Sequence, residues 1–289
     1  MGVALVTPFK EDDRIDFGAL GKLVDLQLQN GTDYLVVLGT TAETPVLTDN
    51  EKKEVADFII NKVQGKLPIV LGVGGNNTHA VVNDLKTKDF TGVDAVLSVV
   101  PYYNKPSQEG MYRHFQAIAE ATDLPILLYN VPGRTGVNMT ADTTLRLARD
   151  FKNIAGIKEA SGNIVQMDDI IKNKPNDFMV ISGDDGITYP LIALGAVGVI
   201  SVIGNAFPKE FSRMVRLALS GDWENALRIH HDFTELFELL FVDGNPAGVK
   251  CMLHAMGYCE NKLRLPLVPT RITTFEKIRA VLDHLNIKA

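Results

Sequence analysis

Short apolar runs alternate along the chain with longer amphipathic segments, up to about Ser201. The amphipathic segments predict helices, such as Phe17–Gln29, which closes on Asn30-Gly31, and Asp49–Val63, which Thr48 or Asp49 can cap. The apolar runs are bounded by turn residues and predict buried parallel strands. They are Val3–Val6, Tyr34–Leu38, Pro68–Val73, Ala95–Val100, Pro125–Tyr129, Ile154–Lys158, Phe178–Ile181 and Val197–Ser201.

Eight strands with a spacing of roughly 20–35 residues indicate a (β/α)8 barrel, because a doubly wound sheet more often stops at five or six strands. From about Pro208 the pattern becomes helical. The predicted helices are Lys209–Leu219, Trp223–Leu240, Pro246–Met256 and Thr274–Leu285. We therefore predict an α/β protein, with a (β/α)8 TIM barrel over residues 1–206 and a C-terminal helical region over residues 207–289 packed on it.

Composition and charge limit the possible functions. The 289 residues are 46% hydrophobic, which suits a large core, and the net charge of −6 without a basic run argues against nucleic-acid binding. No apolar run approaches the ~20 residues that span a membrane. The start of the chain runs into Thr7-Pro8 without a signal-peptide pattern, so we expect a cytoplasmic protein.

The two cysteines, Cys251 and Cys259, fall eight positions apart in one predicted helix, too distant for a disulfide along it. We expect both to be reduced core residues.

The run Ile154–Ser161 carries one lysine, Lys158, near the end of a strand predicted to be buried on both faces. Burial disfavours the charged ammonium and favours a neutral, nucleophilic amine, which suits Schiff-base chemistry. Two alternatives remain open at this point. The lysine could extend to solvent, or it could pair with Glu159.

Other candidate residues lie where strands end, which is where barrel enzymes place their chemistry. The loop Gly39–Thr44 offers hydroxyls and backbone N–H groups, or is an ordinary polar turn. Of Tyr102 and Tyr103, only one would face a pocket in extended chain, and both could simply pack against the loop. Tyr129 ends a buried strand. Arg134 could bind a carboxylate through the paired N–H groups of its guanidinium, or it could be a surface arginine.

Two rival classes fit less well. A phosphate-binding barrel isomerase needs a glycine-rich phosphate-binding loop after the seventh and eighth strands. This chain has the acidic stretch Ser182–Asp185 there. The acids of that stretch could instead cap the next helix. A non-catalytic descendant of the fold would be expected to have lost Lys158 or Tyr129, and both are present.

Taken together, these motifs resemble the dihydrodipicolinate synthase family, within the pyruvate-lysine aldolase superfamily, over essentially the full length. The residues that carry the resemblance are Val6-Thr7-Pro8, Gly39-Thr40-Thr41-Ala42-Glu43, Pro101-Tyr102-Tyr103-Asn104, Tyr129–Gly136, Gly156–Ala160 and Gly198–Ser201. The superfamily also contains N-acetylneuraminate lyase and keto-deoxy sugar-acid aldolases, which are the alternative. Arg134 favours the synthase, since sugar-acid aldolases usually carry a different residue there.

The resemblance implies a metal-free and cofactor-free condensation of pyruvate with L-aspartate 4-semialdehyde, in the diaminopimelate route to lysine. Lys158 would form the Schiff base with pyruvate, and Tyr129 would donate and accept protons. Thr40 would link Tyr129 to Tyr103, contributed across a subunit contact. The family arrangement implied is a homotetramer, a dimer of dimers.

The resemblance also implies that Thr41 holds the pyruvate carboxylate, that the Ile200 main chain contacts the keto acid, and that Arg134 orients the semialdehyde. One departure is Ala42, where the family usually has glycine. If that position needs a positive φ, alanine costs about 1 kcal/mol and displaces the loop.

Lysine-sensitive relatives hold lysine near the tyrosine matching Tyr102 and the asparagine matching Asn76. They also supply an acid and a His or Glu at the positions matching Ala80 and Lys52. We therefore expect weak or absent inhibition by lysine. The alternative is that neighbouring acids such as Glu51 or Asp84 compensate.

Overall fold

Eight parallel strands form one sheet in this computed structural model, which describes residues 1–285 of the chain. The strands are β1 (Gly2–Ala4), β2 (Tyr34–Val37), β3 (Ile69–Gly72), β4 (Ala95–Val99), β5 (Ile126–Asn130), β6 (Ile154–Glu159), β7 (Met179–Ser182) and β8 (Ile200–Ser201). Their order in the sheet is β7-β6-β5-β4-β3-β2-β1-β8. The predicted (β/α)8 barrel with C-terminal helices is confirmed, and each predicted run overlaps its strand.

Helices follow the strands and then continue to the end of the described residues. They are α1 (Phe17–Gln29), α2 (Asp49–Val63), α3 (Thr78–Thr87), α4 (Gln108–Ala119), α5 (Pro132–Thr135), α6 (Ala141–Asp150), α7 (Ile164–Asn173), α8 (Thr188–Leu194), α9 (Pro208–Leu219), α10 (Trp223–Asp232), α11 (Thr234–Leu239), α12 (Ala247–Ala255) and α13 (Ile272–His284).

The bounds of α1 and α2 are those predicted, because polar caps fix both starts. The Asp16 side chain accepts a hydrogen bond from the Ala19 N–H at the start of α1. At α2, Thr48 and Glu51 form a capping box in which each side chain accepts from the other residue's backbone N–H.

Contacts group the chain into two compact units, Ile69–Ile200 and Met1–Pro68 together with Ser201–Ala289. In the unit Ile69–Ile200, β3 to β7 and their helices share one apolar core that includes Phe115, Ile118 and Leu128. Burial of such side chains is the main favourable term in folding this unit.

In the other unit, polar side chains join its early and late segments. The Asn205 side chain donates to the Ala4 carbonyl at 2.8 Å and accepts from the Val6 N–H at 3.1 Å. Arg216 pairs with Asp33 at 2.9 Å. The predicted division into a barrel over residues 1–206 and a helical region over 207–289 stays a prediction.

The predicted single helix Trp223–Leu240 is wrong, since the chain there forms α10 and α11. The break lies at Phe233, whose N–H bonds to the His230 carbonyl at 3.2 Å in a tightened turn. The Phe233 ring is buried and lies 5.1 Å from the ring of Phe207 and 6.2 Å from that of Phe211. Packing of this ring accompanies the break between the two helices.

The cysteines do not share a helix as predicted. Gly257, with a φ of 76°, ends α12, and the Tyr258 N–H bonds back to the Leu253 carbonyl at 2.9 Å. Cys251 is buried and Cys259 is half-buried beyond that turn. Both thiols are free, as expected, and burial raises the pKa of Cys259 to about 11.

None of the helices within residues 1–285 is long and apolar enough to cross a membrane.

Candidate active site

Tyr129 and Lys158 occupy paired positions at the ends of neighbouring strands, β5 and β6. The Lys158 Nζ lies 4.3 Å from the centroid of the Tyr129 ring, and each residue is only 6% exposed. The alternative in which Lys158 extends to solvent is therefore wrong. A buried amine beside a phenol supplies a nucleophile and a proton-transfer group in one place.

Glu159 does not pair with Lys158, so the second alternative is also wrong. Successive side chains of a strand point to opposite faces, and the fully buried Glu159 carboxylate accepts instead from the Ser161 N–H at 2.9 Å. It also accepts from the side-chain amides of Asn130 and Gln166, each at 3.1 Å. Burial raises the pKa of the Glu159 carboxyl, while these three donors act in the opposite direction.

The loop after β7 passes close to Lys158. A Cβ atom at Gly183 would lie 3.2 Å from the Lys158 Cε and 2.7 Å from the Ala160 Cβ, so only glycine fits without displacement. The acids of this loop act partly as a cap, as predicted, since Asp184 accepts from the Gly186 N–H at 2.9 Å.

Ile200, predicted to contact the keto acid through its main chain, is buried in β8.

Arg134 lies on the one-turn helix α5, which follows β5 directly. Gly136, with a φ of 74°, ends this turn, and the Thr135 hydroxyl bonds to the Val137 carbonyl at 2.8 Å. The Arg134 side chain is exposed. The local fold thus fixes the backbone at an exposed arginine.

Tyr103 has a left-handed backbone with a φ of 75°, so the premise of extended chain at the two tyrosines is wrong. Its side chain is 89% exposed, and that of Tyr102 is 41% exposed, so neither is packed away within the protomer. The Tyr102 carbonyl accepts from the Asn76 side chain at 3.2 Å. A non-glycine residue in this conformation costs about 1–3 kcal/mol, which the surrounding structure must offset.

Thr40 and Thr41 belong to the other unit, in a 3-10 turn that spans Thr40–Ala42. The Thr41 hydroxyl is buried and accepts from the Asn245 side chain at 3.0 Å. The Thr7 hydroxyl donates to the Ala42 carbonyl at 2.8 Å. The left-handed residue here is Glu43, with a φ of 56°, so the strain considered for Ala42 does not arise.

The partners of the Glu43 carboxylate were not predicted from the sequence. Glu43 forms an ion pair with Lys250 in which both side chains are 0% exposed, and its second oxygen accepts from the Arg264 N–H at 3.1 Å. The Lys250 Nζ lies 4.2 Å from the centroid of the Phe9 ring. One signal was available, because Lys250 is the only Asp, Glu, Lys or Arg in Ala247–Ala255.

Comparisons with known proteins agree along the whole chain. The model of the dihydrodipicolinate synthetase family matches residues 1–285. A 4-hydroxy-tetrahydrodipicolinate synthase from Phocaeicola vulgatus is 76% identical over 288 residues, which is 100% of this chain and 97% of that protein.

Solved structures agree with this match. Dihydrodipicolinate synthase from Thermotoga maritima superposes with a TM-score of 0.96 at 43% identity, over 99% of this chain and 98% of that one. The chloride-inhibited dihydrodipicolinate synthase from Acinetobacter baumannii, solved in complex with pyruvate, gives a TM-score of 0.95 at 40% identity, over 99% and 98% of the two chains.

Proposed function

The chain belongs to the dihydrodipicolinate synthetase family, and we propose that it carries out the 4-hydroxy-tetrahydrodipicolinate synthase reaction through a Schiff base on Lys158. The reaction is that of a lyase in the diaminopimelate route to lysine, with pyruvate and L-aspartate 4-semialdehyde as substrates. One observation carries the mechanism: a buried lysine lies against the ring of the tyrosine on the neighbouring strand, with 4.3 Å between the Lys158 Nζ and the Tyr129 ring centroid.

The neutral Lys158 amine attacks the pyruvate ketone, and loss of water gives an iminium ion. Loss of a methyl proton then gives an enamine, whose carbon attacks the aldehyde carbon of the semialdehyde. The semialdehyde's own amine displaces Lys158 from the iminium carbon, which closes the ring and regenerates the free lysine. Because the covalent link to lysine supplies the electron sink, we propose that the reaction needs no metal or organic cofactor.

Tyr129 is the proton donor and acceptor of these steps. Its place beside Lys158 supports that role, since general acid-base catalysis requires the group within reach of the reacting atoms. Thr40 and Tyr103 extend the relay, and that assignment rests on their match to the family motif. The exposure of Tyr103 is consistent with a residue that acts on another copy of the chain.

Three further groups bind the two substrates in this proposal. Thr41 and the Ile200 main chain bind pyruvate, by their match to the family motif. Arg134 binds the carboxylate of the semialdehyde, which its exposed guanidinium on a fixed turn supports. We also propose a homotetramer built as a dimer of dimers, in the cytoplasm.

Lysine inhibits this enzyme weakly or not at all in our proposal. The acids that could compensate for Ala80 and Lys52 already have partners. Glu51 pairs with Arg264 at 2.5 Å, and this contact lowers the pKa of Glu51 to about 2. Asp84 pairs with Lys88 at 2.7 Å.

The test of function is a substrate panel. Purified protein should consume pyruvate and L-aspartate 4-semialdehyde and give 4-hydroxy-tetrahydrodipicolinate, detected by coupling to a reductase of that product. It should not cleave N-acetylneuraminate or keto-deoxy sugar acids at a comparable rate. Faster turnover of a sugar acid than of the semialdehyde would assign the chain to the alternative aldolases.

A further inference from the structure

On the face of β5 and β6 opposite the Tyr129–Lys158 pair, the buried Glu159 carboxylate accepts hydrogen bonds from neutral donors. We propose that Glu159 is a positioning residue, whose carboxylate fixes the ends of β5 and β6 so that Tyr129 and Lys158 stay in contact. The inference rests on the proposed function, because it concerns the same lysine and tyrosine. It adds a residue to which the mechanism above gives no role.

The sheet register places Glu159 for this task. Tyr129 pairs with Lys158 on the two strands, and the next pair along is Asn130 with Glu159. Since side chains alternate between faces, the second pair lies on the opposite face from the first. Asn130 and Glu159 are both 0% exposed, and the Asn130 amide nitrogen lies 3.1 Å from each Glu159 oxygen. This side-chain bond ties the two strands together one residue beyond the reacting groups.

The carboxylate also orders the chain that follows β6. One oxygen accepts from the Ser161 N–H at 2.9 Å and the other from the Gln166 side chain on α7 at 3.1 Å. The Glu159 carbonyl accepts from the Gly183 N–H at 2.8 Å, on the loop that touches Lys158. A carboxylate is well paired when both of its oxygens accept hydrogen bonds, as here. The amide of a glutamine at this position would instead point its own NH2 group at another donor.

The same cluster reaches the segment that follows Arg134. The Asn130 side-chain oxygen accepts from the Met139 N–H at 3.0 Å, and its nitrogen donates to Asn138 at 2.8 Å. Gln166 donates to the Met139 carbonyl at 3.1 Å and accepts from Asn138 at 2.7 Å. The ends of β5 and β6 and the segment after α5 therefore share one hydrogen-bond cluster, which is centred on the buried Asn130 and Glu159. Its loss should affect both Schiff-base formation and the choice of aldehyde.

Glu159→Gln tests this, because it keeps the size of the side chain and removes one acceptor. The measurement is the rate of borohydride trapping of pyruvate on Lys158 at saturating pyruvate, together with the ratio of rates for charged and uncharged aldehydes. We expect trapping to slow about tenfold or more, equivalent to about 1.4 kcal/mol, and the aldehyde ratio to fall about threefold. Trapping within a factor of about two of the unmodified protein, in folded Glu159→Gln protein, would overturn the inference.

Asn153→Ala is the matched control. Asn153 precedes the other end of β6, where its side chain donates to the Ala119 and Thr122 carbonyls at 2.9 and 2.8 Å. This variant loses partly buried hydrogen bonds directly before the start of the same strand, far along it from Lys158. We expect a lower Tm with an unchanged trapping rate and aldehyde ratio, measured below the Tm. An equal loss of trapping in this variant would make the effect one of general strand stability and overturn a positioning role.

A second variant covers the case in which Glu159→Gln fails to fold. Gln166→Ala removes one donor from a half-buried helix position, and we expect trapping to slow about threefold. An unchanged rate would again overturn the inference. If the unmodified protein gives no adduct on Lys158, the proposed function itself fails, which separates that outcome from a failure of the positioning role.

Discussion

Removal of Lys250 should strongly destabilise the unit that carries the Thr40–Thr41 turn. In Lys250→Met the Glu43 carboxylate loses its cation yet stays buried, with the Arg264 N–H at 3.1 Å as a remaining donor. Both members of the pair are 0% exposed, so solvent does not screen the loss.

Breaking a buried ion pair by removing one partner costs about 3–5 kcal/mol, since the remaining charge is left uncompensated. For a chain of this size each kcal/mol lowers the Tm by about 2–4 °C. We therefore expect the Tm of Lys250→Met to fall by about 6–20 °C.

The assay is thermal unfolding followed by circular dichroism at one fixed protein concentration. Lys53→Met is the control, because the pair of Lys53 with Asp57 is exposed and a surface pair contributes about 0–1 kcal/mol. The double variant Glu43→Gln/Lys250→Met removes both charges and should recover at least half of the lost Tm. A shift of less than about 2 °C in Lys250→Met, or a double variant no more stable than the single one, would show that an unpaired Glu43 charge is not what destabilises this unit.

Three further predictions follow from the proposed roles. Arg134→Ala should cost about 1.5–3 kcal/mol in transition-state binding of aspartate semialdehyde, while borohydride trapping of pyruvate continues. An unchanged preference for charged over uncharged aldehydes in steady-state kinetics would refute this role of Arg134. Analytical ultracentrifugation should find at least a dimer, since Tyr103 would act on a neighbouring subunit, and a fully active monomer would contradict this. Ala80 and Lys52 match positions at which lysine-sensitive relatives bind lysine, so the affinity of this protein for lysine should be about 10- to 150-fold lower than theirs. In a lysine titration of initial rates, half-inhibition below about 1 mM would show that the lysine site survives.

The parts of the fold that depend on neighbouring residues were predictable from the sequence. The bounds of α2 were predicted correctly because its cap, Thr48 with Glu51, lies within one turn. The strand that ends near Lys158 was predictable because an apolar run shorter than a helix, bounded by polar residues, indicates a buried strand.

Contacts between distant residues were not predictable in this way. Glu43 and Lys250 are 207 positions apart, so a turn before a helix start was the simpler interpretation of Glu43. The left-handed backbone of Tyr103 also has no local signal, since tyrosine rarely adopts it. Strand alternation argues against a pair of Glu159 with Lys158, an alternative that had stayed open from the sequence, and the partner of Glu159 on β5, Asn130, needed the sheet register.

The proposed function depends on Lys158 as the nucleophile, which mass spectrometry after borohydride reduction with pyruvate can establish. We expect one reduced pyruvate per chain, on Lys158 alone, and no adduct in Lys158→Ala. Lys158→Arg sharpens the test, because it keeps a long basic side chain beside Tyr129 but lacks the primary amine that forms an imine. An adduct on another lysine, or one that persists in either variant, would contradict the account.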